Sequence, residues 1–513
     1  MRAQTRVAGN FDFEWSEVNL SVRRWLVAIG TASLAIWLAW LAAERAYTLP
    51  ALAGAIAFAA ILVRLTRLPA DVILLGLLLV GYIVGNRGFA QLMPLPGLPL
   101  FPAELGLAVG LGWLVIQTAL RRSLPWRRDS LNWALLLWLV LGTARVVVDV
   151  RRYGFFAIRD YATIYYAFFF FLAQHYAADR RARLYLTGCV GIAVTVLLPV
   201  FYLYTINPLF FYTWLSVRQI PLIAIKGDLA YTSLAAGAVI VFHAVPRGYR
   251  VWAWPLATIL VLAVPAGESR ASLVGLVVAM VWLALGRRWS FPAVQAGAAA
   301  FVLLGLVAIA HSGNVPWATN RLDGLRDRLV SIGDISSPVA YDDEASAYKG
   351  DNNRFRLVWW WTVVQDTWAQ GPVFGLGFGY DLASRFVQEY DPDMGEDFTA
   401  RSPHSIVVGT IGRMGAVGLA SLLAIVGAMA ARTWRALRDR TTDPAAVGLW
   451  CGAWVIFTSA CFGVVLEGPM GAVVFWSLLG MANAMTAPAV PAEVPSDKEQ
   501  VSRETEAGGA VAP

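Results

Sequence analysis

The chain has 513 residues, of which 58% are hydrophobic and only 15% charged, and its mean hydropathy is +0.58. Soluble domains carry about 25% charged residues, so this composition excludes an ordinary soluble fold and predicts an all-α, polytopic transmembrane helical bundle. The formal net charge is +7, yet the basic residues are mostly arginines in short clusters between apolar runs. That is a membrane-topology pattern and excludes a nucleic-acid partner. Cys189, Cys451 and Cys461 all lie in apolar runs, which argues against a disulfide framework or a thiolate metal site.

Residues 1–24 are polar and end in Arg23-Arg24, with no signal-peptide pattern, and read as a cytoplasmic N-terminal segment. Apolar runs long enough to span follow at about 25–43, 48–63, 70–85, 102–120, 131–148, 158–176, 184–204, 228–245, 251–267, 271–286 and 291–310. Further runs at about 403–431, 445–466 and 469–486 bring the expectation to about 12–14 helices. The chain thus divides into a transmembrane bundle over 25–310, a long loop over 311–402, C-terminal transmembrane helices over 403–486 and a tail over 487–513. The tail is rich in Ala, Pro and Glu, and reads as disordered.

Basic clusters set the expected orientation. With the N-terminus inside, the cytoplasmic turns receive Arg64/Arg67, Arg121/Arg122/Arg127/Arg128, Arg180/Arg181/Arg183, Arg247/Arg250, Arg287/Arg288 and Arg432/Arg435/Arg438/Arg440. Both termini are then cytoplasmic, in a plasma (inner) membrane, and the loop over 311–402 is extracytoplasmic and contains short helices. It carries acidic patches, Asp342-Asp343-Glu344 and Asp391 to Asp397, and many aromatics. Residues 354–370 read as a helix with tryptophans on more than one side, lying along the membrane interface. Gly375-Leu376-Gly377-Phe378-Gly379 lacks the preceding strand of a nucleotide fingerprint and reads as a tight turn.

The loop ends at Ser402-Pro403-His404-Ser405. Ser402 is placed to cap a helix with Pro403 at its first position, which sets His404 on the first turn. There the helix dipole disfavours imidazolium and keeps the ring a neutral base. Gly415, eleven residues on, falls roughly 20° around an ideal helix from His404 and marks a face that another helix can approach closely. A histidine that only bonds the loop is the alternative, and the residues alone leave both open. Arg413 lies on the opposite side, roughly 13 Å deeper at 1.5 Å per residue, and needs a buried partner.

Against the inside-facing arginines, Arg151, Arg152, Arg159, Arg218 and Arg270 fall on the outer side. Arg218 and Arg270 together could clamp a pyrophosphate, since guanidinium matches phosphate oxygens bidentately. Arg270 paired with Glu268, or reaching to lipid headgroups, is the structural alternative. Arg159 is a weaker candidate for the same role. No His, Asp, Glu or Cys cluster has metal-ligand spacing, so neither a metal nor a cofactor is expected. His175, His243 and His311 are single residues at helix ends and read as structural.

His404-Ser405, nine residues, and Gly415-x-x-Gly418 resemble the H-[NSQ]-x9-G-x-x-[GTY] signature of bacterial O-antigen ligases, whose superfamily includes O-antigen and exopolysaccharide polymerases. Asn353-Arg354-Phe355-Arg356 through Gly371-Pro372-Val373-Phe374-Gly375-Leu376-Gly377 resembles that family's approach to its histidine. Glu268-Ser269-Arg270-Ala271-Ser272 resembles its serine–arginine turn, and Arg218 its other arginine. The resemblance implies a GT-C-type, metal-independent, inverting glycosyltransferase. Its donor would be a glycan on undecaprenyl pyrophosphate, and its acceptor a glycan, lipid or protein hydroxyl at the outer face of the membrane. It implies catalytic roles for His404, Arg270 and Arg218, and substrate binding by Arg159, Arg354, Arg356 and Ser405. Gly415 and Gly418 would pack helices at the site, among membrane lipids. A ligase is the leading expectation, a polymerase the rival. A secondary transporter or flippase is the alternative from another class, although no paired broken helices in two halves are visible.

Overall fold

The computed structural model describes residues 48–93, 101–121, 127–217, 219–267, 269–311, 316–333, 344–390 and 400–486. The expected N-terminal segment and first span, Arg218, Glu268, Asp342-Asp343, the acidic stretch from Asp391 to Asp397 and the tail lie outside them.

Among the described residues nine helices are long and apolar enough to cross a membrane, and four shorter apolar helices accompany them. In chain order the helices begin with α1 (Thr48–Thr66) and α2 (Ala70–Val80), which runs on through a π-turn at Gly81–Gly85 into α3 (Asn86–Ala90). α4 (Pro102–Arg121), α5 (Ser130–Tyr153), α6 (Phe155–Tyr165), α7 (Phe168–Tyr176), α8 (Arg180–Ile206) and α9 (Pro208–Trp214) follow. A two-stranded hairpin, β1 (Ser216–Val217) with β2 (Ile220–Pro221), is antiparallel. Then come α10 (Gly227–Ala244), α11 (Arg250–Ala266), α12 (Arg270–Leu285), α13 (Ser290–His311), α14 (Pro316–Gly333), α15 (Glu344–Gln370) and α16 (Ser384–Tyr390). The last three are α17 (Ile406–Arg438), α18 (Pro444–Cys461) and α19 (Pro469–Met485).

Local chemistry sets the helix starts. Asp129 accepts from the backbone N–H groups of Leu131 and Asn132, Asp179 from Ala182 and Asp443 from Ala445. Pro208, Pro444 and Pro469 open their helices, where a missing N–H costs nothing. The core is built by α10, α12, α18 and α19, with α7 against α19 and α5 against α17. Small residues permit these approaches: a Cβ on Gly275 of α12 would lie 2.6 Å from the Val455 carbonyl oxygen of α18.

Two ends of the bundle differ in chemistry. At one, Arg288 bonds the carbonyl oxygens of Leu437 and Asp439, Arg127 those of Asn483 and Ala484, and Arg432 pairs with Asp129 at 3.0 Å. The opposite end gathers Tyr153, the start of α10, the α11–α12 turn, the start of α17 and the α18–α19 turn.

Three expectations need correcting. The span expected at 158–176 starts at Phe155 and is interrupted at Tyr166-Ala167 between α6 and α7. The helix expected from Pro403 begins at Ile406, with Ser405 rather than Ser402 as its N-cap, so His404 precedes the helix instead of sitting on its first turn. And α17 is not continuous. Gly415 has φ 61° and ψ −151°, which breaks the helix, so no single face carries both His404 and Gly415.

Candidate functional site

The break in α17 is filled by backbone from the loop that follows α15. Leu376 N–H donates to the Gly412 carbonyl (2.7 Å) and Gly377 N–H to that of Arg413 (3.2 Å). In return Ala416 and Val417 donate to the carbonyls of Pro372 (2.9 Å) and Val373 (3.1 Å). The helix's lost bonds are thus replaced by bonds to an extended strap, which satisfies backbone groups that a membrane would leave unpaired. Gly415 therefore admits a loop, where the sequence predicted a neighbouring helix. Gly418, expected to pack another helix, has its nearest neighbours in Met414 and Thr410 of its own helix.

The strap is pinned from the other side by carboxylates. Asp149 of α5 accepts from the Phe378 N–H at 2.7 Å, and Asp160 of α6 accepts from the Gly379 N–H at 3.1 Å. Asp160 is also the buried partner of Arg413, at 2.6 Å. Arg159, a candidate pyrophosphate ligand, lies 3.5 Å from the same carboxylate and over the Phe156 ring. Its charge is therefore shared with this structural pair.

His404 is held in the left-handed region, at φ 54°, an uncommon backbone for a residue with a side chain. Tryptophans of α15 hold it there. Trp360 donates from Nε1 to the carbonyl of Pro403 (2.6 Å), and the buried Trp359 ring meets the imidazole edge-on at 5.8 Å. Trp359 in turn bonds the Leu382 carbonyl (2.9 Å) and stacks on Phe386. These two tryptophans point inward, whereas Trp361 and Trp368 are exposed, so α15 serves as a wall for the histidine as well as an aromatic surface. His404 Nδ1 is buried and has no hydrogen-bond partner among the described residues. Burial, then Arg356 and Lys226, push the His404 pKa down to about 4. A lowered pKa favours the neutral ring, with burial as the largest cause and the cations Arg356 and Lys226 adding to it.

Two further charged residues act on the His404 segment, Lys226 on the imidazole and Glu467 on Ser402. Lys226 is the N-cap position of α10, within electrostatic reach of His404, Arg356, Arg87 and Glu467. Burial lowers its pKa, while Asp228 and Glu467 raise it. Its backbone N–H bonds the side chain of Asn86 (3.1 Å), and the Gly88 N–H bonds the Ala224 carbonyl (3.3 Å), so α3 fixes the loop that presents it. Glu467, in the α18–α19 turn, accepts from the Ser402 hydroxyl at 2.7 Å. Burial raises its pKa, opposed by Ser402, Arg413 and Lys226. It thus ties the His404 segment to the last two helices. One available signal was the scarcity of lysine: Lys226, Lys349 and Lys498 are the chain's lysines.

The remaining predicted residues divide. Arg356 Nη1 donates to the Phe462 carbonyl (2.8 Å) and stands within electrostatic reach of His404. Arg354 is half-buried on the same helix. Ser405 caps α17 through the Val408 N–H at 3.4 Å. Arg270 opens α12 behind its N-cap Ser269, half-buried. Ser272, bonded to Ser269 (2.7 Å) and to Thr232 of α10 (2.9 Å), fixes this turn about one helical turn from Asp228 and Lys226. Arg218 lies outside the described residues; Val217 and Gln219 on either side of it belong to the hairpin that precedes Lys226. Among the described residues no group of three or more His, Cys, Asp or Glu side chains is placed to hold a metal ion.

A neutral, unpartnered imidazole flanked by a guanidinium and an ammonium can accept a proton while an anion is bound beside it. Residues 255–423 match the sequence profile of a family described as O-antigen ligase. No curated protein gives a significant sequence match.

Proposed function

We infer that this chain, whose residues 255–423 match the O-antigen ligase profile, is a membrane glycosyltransferase of the O-antigen ligase and polymerase superfamily using a polyprenyl-pyrophosphate-linked glycan as donor. His404 takes the proton from an acceptor hydroxyl. That oxygen attacks the anomeric carbon as the bond to the pyrophosphate breaks, and the configuration inverts. Arg356, Lys226 and Arg270, together with the Arg218 that the family resemblance implicates, stabilise the charge of the departing pyrophosphate. Cations suit this role because the leaving group gains charge as the bond breaks, so their attraction is stronger in the transition state than in the ground state.

The observation that carries the reading is the convergence on His404: an orphaned buried Nδ1, with Arg356 and Lys226 as its charged neighbours. The arginine-rich end of the bundle lies opposite, which supports an extracytoplasmic site by the positive-inside rule, with both termini cytoplasmic in the plasma membrane.

The test is the set His404→Ala, Arg270→Ala and Arg218→Ala, read by surface-glycan ladders and by lipid-linked glycan pools. Loss of long chains with accumulation of the lipid-linked glycan supports a ligase. Chains limited to one repeat support a polymerase of the same superfamily. Normal glycans with altered solute uptake would sink the transferase reading in favour of a transporter.

A further inference from the structure

A second concavity opens beside the glycine strap that completes α17. Phe378 faces a small cavity of about 20 Å³ beneath Ser402 and Ser405, whereas Gly375 and Leu376 wall a cleft of about 420 Å³. Arg145, Arg152, Tyr153, Gln370 and Tyr380 complete that cleft. Its volume lies within the range of small-ligand sites, and no role assigned above to a residue of the candidate site uses it.

We propose that this cleft binds a saccharide carrying an acidic substituent. The Tyr153 and Tyr380 rings stand edge to face with centroids 6.4 Å apart, offering two nearly perpendicular aromatic surfaces to the apolar face of a sugar. Gln370 donates from Nε2 to Asp366 (2.6 Å), which leaves its amide oxygen to accept from a sugar hydroxyl. The other Asp366 oxygen accepts from the Tyr380 hydroxyl (3.0 Å), so this carboxylate is engaged in orienting the wall. The two arginines have different duties. Arg145 is paired with Asp149 at 3.0 Å and bonds the Gly375 carbonyl at 3.3 Å, so it braces the strap. Arg152 is exposed, lies over the Tyr153 ring at 5.1 Å and makes no ion pair among the described residues. Its guanidinium is the group left to take a phosphate or carboxylate.

The cleft extends the glycosyl-transfer reading by giving an acceptor glycan a docking place, and in that sense rests on it; Phe378 of the strap lines the smaller cavity, Gly375 and Leu376 the cleft. Binding, unlike transfer, does not need His404, so the two ideas fail separately.

The test is saturation-transfer NMR on the full chain in a sugar-free detergent, with glucose 6-phosphate, glucose and inorganic phosphate as probes. The wild type and His404→Ala should both transfer saturation to the ring protons of glucose 6-phosphate. Arg152→Ala and Gln370→Ala, both at exposed positions, should each weaken its binding, Arg152→Ala by about tenfold, the loss of one charge-assisted hydrogen bond. Glucose should bind more weakly than its phosphate. Three outcomes overturn the proposal: no transfer to glucose 6-phosphate, equal binding by the two variants and the wild type, or inorganic phosphate binding as tightly as the phosphosugar.

Discussion

Gly375 and Gly415 meet backbone to backbone: a Cβ on Gly415 would lie 2.5 Å from the Gly375 nitrogen, and one on Gly375 equally close to the Met414 nitrogen. Both residues have positive φ, 73° and 61°. Any side chain at either position therefore meets main chain that cannot move aside, in a conformation that L-residues avoid. Gly375→Ala or Gly415→Ala should each destabilise the protein by about 2–4 kcal/mol, combining conformational strain with a clash. Thermal unfolding in detergent checks this, and the pair should be less than additive because both break the same joint.

Removing one member of the Arg413–Asp160 pair leaves the other charge buried. Asp160→Ala or Arg413→Ala should each cost about 3–5 kcal/mol, whereas Arg413→Met with Asp160→Leu should recover most of it. Asp160→Ala should be the worse single change, because the Gly379 N–H also loses its acceptor. A double-mutant cycle on unfolding temperature reads this out.

Trp360→Phe keeps an aromatic ring near Phe462 but removes the bond to the Pro403 carbonyl. The stability cost should be about 1 kcal/mol. Turnover should fall by more than that suggests, since an unpinned Pro403 lets His404 leave its left-handed conformation. A turnover unchanged from wild type would remove this bond from the mechanism.

The His404 pKa of about 4 fixes the sign of a pH effect. Its folded value lies below the usual value of about 6.5, so the unfolded state binds more protons between these limits. The stability contributed by neutral His404 is complete above about pH 6.5 and is lost as pH falls toward 4. For activity, the acid limb of kcat/KM, which reports the free enzyme, should fall near pH 4. Lys226→Met removes one repelling cation and should move that limb upward. A limb that stays in place would show that Lys226 does not act on the imidazole.

The membrane bundle was legible because hydropathy is additive along a chain, and spans need no partner to be recognised. His404 and Gly415 stood out for the same local reason, a fixed spacing. What the sequence could not supply was anything that depends on distant chain. Asp160 looked like one more polar residue beside Arg159, and nothing local ties it to Arg413, 253 positions away. Glu467 sits singly at the end of an apolar run and carries no pattern, and Lys226 stands out only as one of the chain's three lysines. Their residue type predicts an interfacial place for Trp359 and Trp360, but packing against the segment that leads into α17 outweighs that tendency. The helix start was misplaced for a similar reason: Ser402 and Ser405 are both good caps, and the bond from Ser402 to Glu467 decides between them.

The exchange of hydrogen bonds between α17 and the strap over Pro372–Gly377 has a consequence for biogenesis. A span whose second and third turns are completed by residues synthesised some forty positions earlier does not form independently of them. Until that upstream stretch has folded back, the carbonyls of Gly412 and Arg413 lack the partners they have in the finished fold. Packing of α17 is thereby coupled to docking of the upstream strap, so a chain that reaches its final fold has already closed the joint in the helix that His404 precedes.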